Sequence, residues 1–341
     1  MILINRKNKR AFTLIELLVV IAIIGVLSTL VVVALGNSRA GARDAKRVSD
    51  LKSLANALEL YYANNNEYPS SITTGGQLTD GTVVYMSKVP ENPSNDSGGI
   101  CGSYDYYYTS SGNDYAISFC LDKGFDNLNK GYYFMSPSGL NGGLVQYYNF
   151  EEGSGGSVLD IVGGKTGNWV GSGSRYTNNA KFGNFSGVFN GTNDYITIAG
   201  ANTYPNFTLS AWIRRPNVAN LHNIVSGGGA LAYISTHLAT FRLYDGQTWR
   251  IVTTPPLNAD PAWNHVALTF ESASKHYKMY VNGVVGYESV GLGTYIDGRL
   301  GAIGVWATGT ERWFNGSIDD VMLYNRVLSS QEVKALYQAG Q

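Results

Sequence analysis

Between Phe12 and Leu35 the chain reads FTLIELLVVIAIIGVLSTLVVVAL, and Glu16 is the one ionisable side chain in that run. A carboxylate on so apolar a helix is costly enough that function, with a partner, is the default expectation. Other residues with chemical potential are sparse. Asp319 and Asp320 are adjacent acids, and cutting a glycosidic bond needs two carboxylates that face the same bond. Neighbours on a regular strand point to opposite faces, so this pair is not expected to act together. His222, His237, His265 and His276 show no metal-ligand spacing, and His265 reads as a packed strand residue. No Ser-His-Asp or Cys-His arrangement can be assembled, so no catalytic residue is assigned and the chain is not expected to be an enzyme.

These residues need elements to position them. The apolar run has the roughly 20 residues a helix needs to cross the hydrocarbon core of a bilayer. Before it lies NRKNKRA, with Arg6, Lys7, Lys9 and Arg10, and then the small Ala11. After it the chain becomes amphipathic: Leu51, Leu54, Ala55, Leu58, Tyr61 and Tyr62 form one helical stripe that should lie on a globular unit. The helix is expected to continue to about Tyr62, with Gly25, Gly36 and Gly41 as weak points. Pro90 and Pro93 then exclude helix, and Tyr104–Thr109 and Tyr115–Cys120 read as strands of a hairpin around SSGND. PSGLNGG, residues 137–143, reads as a flexible joint anchored only by Leu140. From Leu144 short alternating segments recur, with Asn282-Gly283 as the clearest hairpin turn. The last segment, LSSQEVKALYQAG, reads as a short helix with Ser329 and Glu332 as a capping box and Val333, Leu336 and Tyr337 on one apolar face. Lys plus Arg equals Asp plus Glu at 25 each, which points away from nucleic acid as a partner.

The basic stretch, Ala11, and then FTLIE leading straight into the apolar run resemble a type IV prepilin. A secretory signal differs, because its apolar segment precedes the cut and is discarded. In this chain the cut would fall between Ala11 and Phe12, and the helix is kept. Prepilins nearly always carry Gly before the cut, so Ala11 is a departure. The resemblance implies an α+β pilin fold with a long membrane-spanning N-terminal helix. Its parts would be a leader at 1–11, a transmembrane segment at 12–35, an amphipathic continuation at 36–62 and a globular head at 63–136. It also implies cleavage by a prepilin peptidase, methylation of the new Phe12 amine, and pairing of Glu16 with a neighbouring subunit's amine during assembly. The competing reading pairs Glu16 with its own Phe12 amine. The subunit is then expected to cross the cytoplasmic membrane once before it enters a cell-surface or periplasmic filament with other pilin subunits. On that exported side Cys101 and Cys120 read as a disulfide, since two isolated cysteines lack the ligands of a zinc site.

LVQYYNFEEGSG, VFNGTNDYITI, FTLSAWIRRP, WNHVALTFE, KMYVNGV and FNGSIDDVMLYNRVLSSQEVKAL together resemble the LamG-like, concanavalin-type jelly roll. The resemblance implies an all-β sandwich over 144–341, in a family of carbohydrate- and protein-binding modules, often calcium-dependent, that also includes glucanases. It implies a Ca²⁺ site at Asp194 with Asp319 or Asp320, set against Asn193 and Asp194 merely capping a turn. Trp249, Trp306 and Trp313, near turns, are candidates for stacking on a sugar, with packing as the alternative. Trp212 and Trp263 read as core. The expected function is a pilin-like filament subunit that displays a binding module for a glycan or surface-protein ligand. The alternatives are a pseudopilin of a type II-like secretion system and a membrane-tethered glycan hydrolase.

Overall fold

The computed structural model describes residues 14–93, 101, 106–126, 128–140, 142–215, 222–227, 231–235, 240–244, 249–253, 262–290, 298–306 and 312–340. Helix α1 spans Leu14–Asn65. Gly25, Gly36 and Gly41 sit within it in open space, and the helix runs through all three. Along its first part the apolar side chains are exposed on every side, Leu14 at 80%. Among the described residues no helix is long and apolar enough to cross a membrane. The side chains of 30–34 lie outside the described residues, so the apolar run is described in detail from Leu14 to Thr29 and at Leu35. Farther along, Val48, Leu51, Leu54, Ala57 and Leu58 are buried and Ala55, Tyr61 and Tyr62 pack against them half-buried, so the expected stripe is present and widened by Val48 and Ala57.

That stripe packs on a four-stranded antiparallel sheet made of Tyr107–Ser110, Tyr115–Phe125, Leu128–Ser136 and Gly139–Leu140. Side chains alternate along a strand. Tyr115, Ile117, Phe119 and Leu121 share a core with the α1 stripe, while Ala116, Ser118 and Cys120 face the other way. All of them are buried. Burial on both faces means that something else covers the second one.

The covering unit is a β-sandwich of two antiparallel eight-stranded sheets. The first sheet has Asn315–Tyr324 and Phe207–Arg214 at its centre, flanked by Asn264–Glu271, His276–Val281 and Val284–Ser289 on one side and Ser186–Asn190 and Tyr176–Thr177 on the other; Leu144–Tyr148 also pairs with Asn315–Tyr324. The second sheet runs Trp249–Thr253, Thr240–Tyr244, Leu231–Ser235, His222–Ser226, Ala302–Ile303, Tyr195–Ile198, Gly167–Val170 and Ser157–Val158. Between them Leu209, Ile213, Val266, Leu268, Ile318 and Val321 meet Trp169, Ile196, Ile224 and Ile303 in one apolar core. Asn282 and Gly283 both take positive φ, 50° and 74°, as a type I′ turn requires.

The outer face of the first sheet is apolar too. Ala267, Tyr280, Met322 and Tyr324 join Phe134 of the head in a single core, and Phe134 lies 6.0 Å from the Tyr324 ring. Helix α2, Ser330–Gln338, fills this seam with Val333, Ala335 and Leu336. The described residues of the joint, 137–140 and 142–143, are therefore pinned. Gly139–Leu140 pairs back onto Leu128–Ser136, Arg326 Nε donates to Gly142 O at 2.6 Å, and Asn325 N–H donates to Gly143 O at 2.8 Å. The sequence hid this because the anchors are backbone atoms reached by residues far along the chain.

Candidate functional sites

Ala11 and Phe12, the expected processing pair, lie outside the described residues. Glu16 stands exposed in the first turn of α1. Its carboxylate complements the positive end of the helix dipole.

Cys101 and Cys120 are bonded, with Cα atoms 5.5 Å apart. The bridge is tied to α1 through charge. Cys101 N–H donates to Asp122 Oδ1 at 3.2 Å, and Arg47 Nη1 donates to Asp122 Oδ2 at 3.0 Å and to Asp44 Oδ1 at 2.7 Å. Asp44 also accepts the backbone N–H groups of Asp122, Lys123 and Gly124. Arg47 is fully buried. Its place beside Val48 and Leu51 on the apolar stripe marks it as inward-facing.

Asp319 and Asp320 overturn the alternation argument. The register between Phe207–Arg214 and Asn315–Tyr324 shifts between Ser210 and Trp212, and Asp320 takes a positive φ of 46°. Such a bulge sets an extra residue into one strand and re-aims its side chain. Both carboxyls turn toward the seam with the head. Tyr147 Oη donates to Asp320 Oδ1 at 2.5 Å, and the N–H groups of Lys181 and Phe182 donate to Asp319 Oδ2 at 2.9 and 3.3 Å. Exposure is 0% for Asp319 and 2% for Asp320, so both carboxyls lie inside the protein. Burial raises Asp319 well above the carboxylate range, with repulsion from Asp320 adding to it. Burial also pushes Asp320 up to about 7, against the opposing Tyr147 hydrogen bond. Beside them His265 Nε2 lies 2.8 Å from Ser210 Oγ, and burial drives its imidazole down to about 3. It is a packed histidine among Trp212 and Tyr337.

Asp194 belongs elsewhere. Asn190 Oδ1 accepts the N–H groups of Thr192, Asn193 and Asp194, and Asp194 Oδ1 accepts from Gly173 N–H at 3.0 Å. This is an Asx-type turn at the edge of Tyr195–Ile198 in the second sheet. The structure does not bring Asp194 together with Asp319 or Asp320, which sit on the central strand of the first sheet. Among the described residues no group of three His, Cys, Asp or Glu side chains is placed to hold a metal. The residue types were suitable, but the topology separates them.

Trp212 is buried, as expected, and Trp263 is half-buried. Trp306 and Trp313 are half-buried near the Ala302–Ile303 strand. The Arg312 guanidinium lies 4.8 Å over the Trp306 ring, and His222 Nδ1 donates to Trp313 O at 2.7 Å. Trp249 begins a strand of the second sheet, and its side chain lies outside the described residues.

Residues 6–32 match the prokaryotic N-terminal methylation motif, and residues 190–334 match the concanavalin A-like lectin/glucanases superfamily. The type II secretion system core protein G of Aeromonas hydrophila is 39% identical over 95 residues, 28% of this chain and 64% of that protein. Its counterpart from Pectobacterium carotovorum is 49% identical over 64 residues, 19% of this chain and 41% of that one. The chain thus spans less than two thirds of these relatives' own length. The binding domain of Paraclostridial Mosquitocidal Protein 1 is similar in structure with a TM-score of 0.46 at 17% identity, over 57% of this chain and 52% of that one. Domain 4 of AbnA, a GH43 extracellular arabinanase from Geobacillus stearothermophilus in complex with arabinotriose, gives 0.43 at 19% identity, over 58% of this chain and 98% of that one. The chain carries a prokaryotic N-terminal methylation motif, has type II secretion pseudopilin G homologues at its N-terminus, and contains a LamG-type, concanavalin A-like jelly-roll domain.

Proposed function

We propose that the protein is a pilin-like filament subunit that displays its jelly roll as a binding module for a glycan or surface-protein ligand. The observation that supports this most is the joining, in one body, of a helix whose first turn carries Glu16 within a methylation motif and a β-sandwich of the lectin type. In this reading the apolar run anchors the precursor in the cytoplasmic membrane, a prepilin peptidase cuts between Ala11 and Phe12, and Glu16 pairs with the Phe12 amine of a neighbour. A lone carboxylate in hydrocarbon costs about 2.5 to 3.5 kcal/mol on insertion scales, and docking of the cationic amine offsets part of that cost. Glu16→Gln is expected to be processed and membrane-inserted but to enter filaments poorly. Wild-type levels in filaments would leave only the local pairing of Glu16 with its own helix start.

The names of the curated relatives favour a second reading, a pseudopilin of a type II-like secretion system. Immunogold labelling separates the two: label on sheared surface filaments supports the pilus subunit, and label confined to the periplasm supports the pseudopilin. Ligand binding is tested with the full chain in detergent micelles on a glycan and matrix-protein array, with Trp306→Ala and Trp313→Ala as comparisons. Calcium enters this reading through Asp194 rather than through the buried acid pair. A thermal midpoint of the full chain that rises in millimolar calcium relative to chelator would support it. An unchanged midpoint leaves Asp194 as a turn residue.

A further inference from the structure

The disulfide does not merely close a loop in the head. Cys101 and Cys120 form a small buried cluster with Ala339, the residue that caps α2, and with Phe182 from the jelly roll. Phe182 stands edge-on to Trp212 at 5.8 Å, its N–H bonds Asp319, and Trp212 stacks on Tyr337 of α2 at 5.9 Å. The other end of α2 is held by the head sheet. Thr109 Oγ1 donates to Gln331 Oε1 at 2.5 Å, and Ser136 Oγ donates to Glu332 Oε1 at 2.6 Å. Arg326 grips the same Glu332 with both terminal nitrogens, at 2.6 and 2.8 Å. Glu332 is also the capping-box residue that starts the helix. The helix is therefore held to the head at its start by hydrogen bonds, and at its finish Ala339 packs against the sulfur bridge.

We propose that the Cys101–Cys120 bond is the latch of a clasp: α2 closes over the second face of the head sheet in the oxidised chain and opens in the reduced one. The jelly roll is then locked to the head after export, where thiols are oxidised; this timing rests on the exported-subunit reading, but the latch itself does not. The chemistry is thiol–disulfide exchange with an exported protein disulfide. One cysteine thiolate attacks the oxidant's disulfide, and the second displaces the oxidant from the mixed disulfide. Two cysteine thiols give up two protons and two electrons, and the oxidant leaves as a dithiol. Without the bond, the contact between the described residues that still ties Cys101 to the sheet is its amide on Asp122, and the surface that Ala339 and Phe182 share loses its covalent anchor.

Hydrogen exchange read by mass spectrometry on the full chain in detergent micelles tests this, comparing the oxidised protein, the same protein under a reductant, and Cys101→Ser/Cys120→Ser. Amides of 330–339 are expected to lose about ten-fold or more of their protection on reduction, while Phe207–Arg214 and Asn264–Glu271 keep theirs. Equal protection of α2 in all three samples overturns the proposal. So does a loss spread through both sheets of the sandwich, which would make the bond a general support of the fold. Phe182→Ala with the bond intact provides an independent arm. It is expected to loosen the end of α2, and full protection there would show that the latch does not act through this contact. None of these outcomes depends on whether the chain is found in a filament, so the latch and the filament reading fail separately.

Discussion

Asp320 shows how a single residue type misleads when the backbone departs from regular geometry. The acid pair reads as two side chains on opposite faces only if Asn315–Tyr324 alternates throughout. Ile318, Val321 and Leu323 all enter the inter-sheet core, and the three-residue step from Ile318 to Val321 breaks period two. That spacing was the available signal for the bulge. The pair also has a pH signature. A carboxyl whose folded value is raised binds its proton more tightly in the native state, so stability falls as pH rises from the ordinary carboxylate range toward the raised value. For Asp320 that window runs from the ordinary carboxylate value of 3.8 to about 7. Asp320→Asn keeps an acceptor for Tyr147 and removes the titration. Urea melts at a series of pH values should show a flatter decline for this variant, the difference reaching at most about 1.4 kcal/mol per pH unit. Arg47 carries the opposite hazard. Arg47→Ala would strand Asp44 and Asp122 in a dry site, and breaking such a buried pair costs about 3 to 5 kcal/mol. A thermal scan in which the variant's midpoint stays at the wild-type value would remove Arg47 from the set of residues that hold the head together.

At the level of elements, the short-range signals were legible and the long-range ones were not. The capping box of α2 is formed as the sequence indicates, with Ser329 Oγ accepting Glu332 N–H at 3.2 Å and Glu332 Oε2 accepting Ser329 N–H at 2.8 Å. Ser329→Ala should cost about 1 kcal/mol, the usual worth of an N-cap, seen as a shift of the urea midpoint with an unchanged slope. The apolar face of Val333 and Leu336 was equally plain. The helix also buries Ala335 and Glu332, because it is pressed between two sheets rather than laid on one. Nothing within nine residues announces a second sheet that the chain completed at Leu140. The strands of the sandwich tell the same story: Ala267, Tyr280, Met322 and Tyr324 look like ordinary outward positions until the head covers them.

Across the whole molecule the seam makes two recognisable units depend on each other. A fragment covering 144–341 would bare the side chains that now meet Phe134 and its neighbours, and exposed apolar patches of that kind bind dyes and associate. Fluorescence of an apolar-surface dye should therefore be higher for this fragment than for the full chain at equal molarity, and a dim fragment would argue that the seam is thin. The pinned joint at 137–143 also bears on how ligands are met. A module on a slack tether samples a volume and can reach ligands at many spacings, with an effective concentration set by the tether. A module seated by Gly139–Leu140, Arg326 and α2 has no such freedom. In a filament of these subunits it would act as a ruler, engaging ligands whose separation on the target surface matches the repeat of the filament itself.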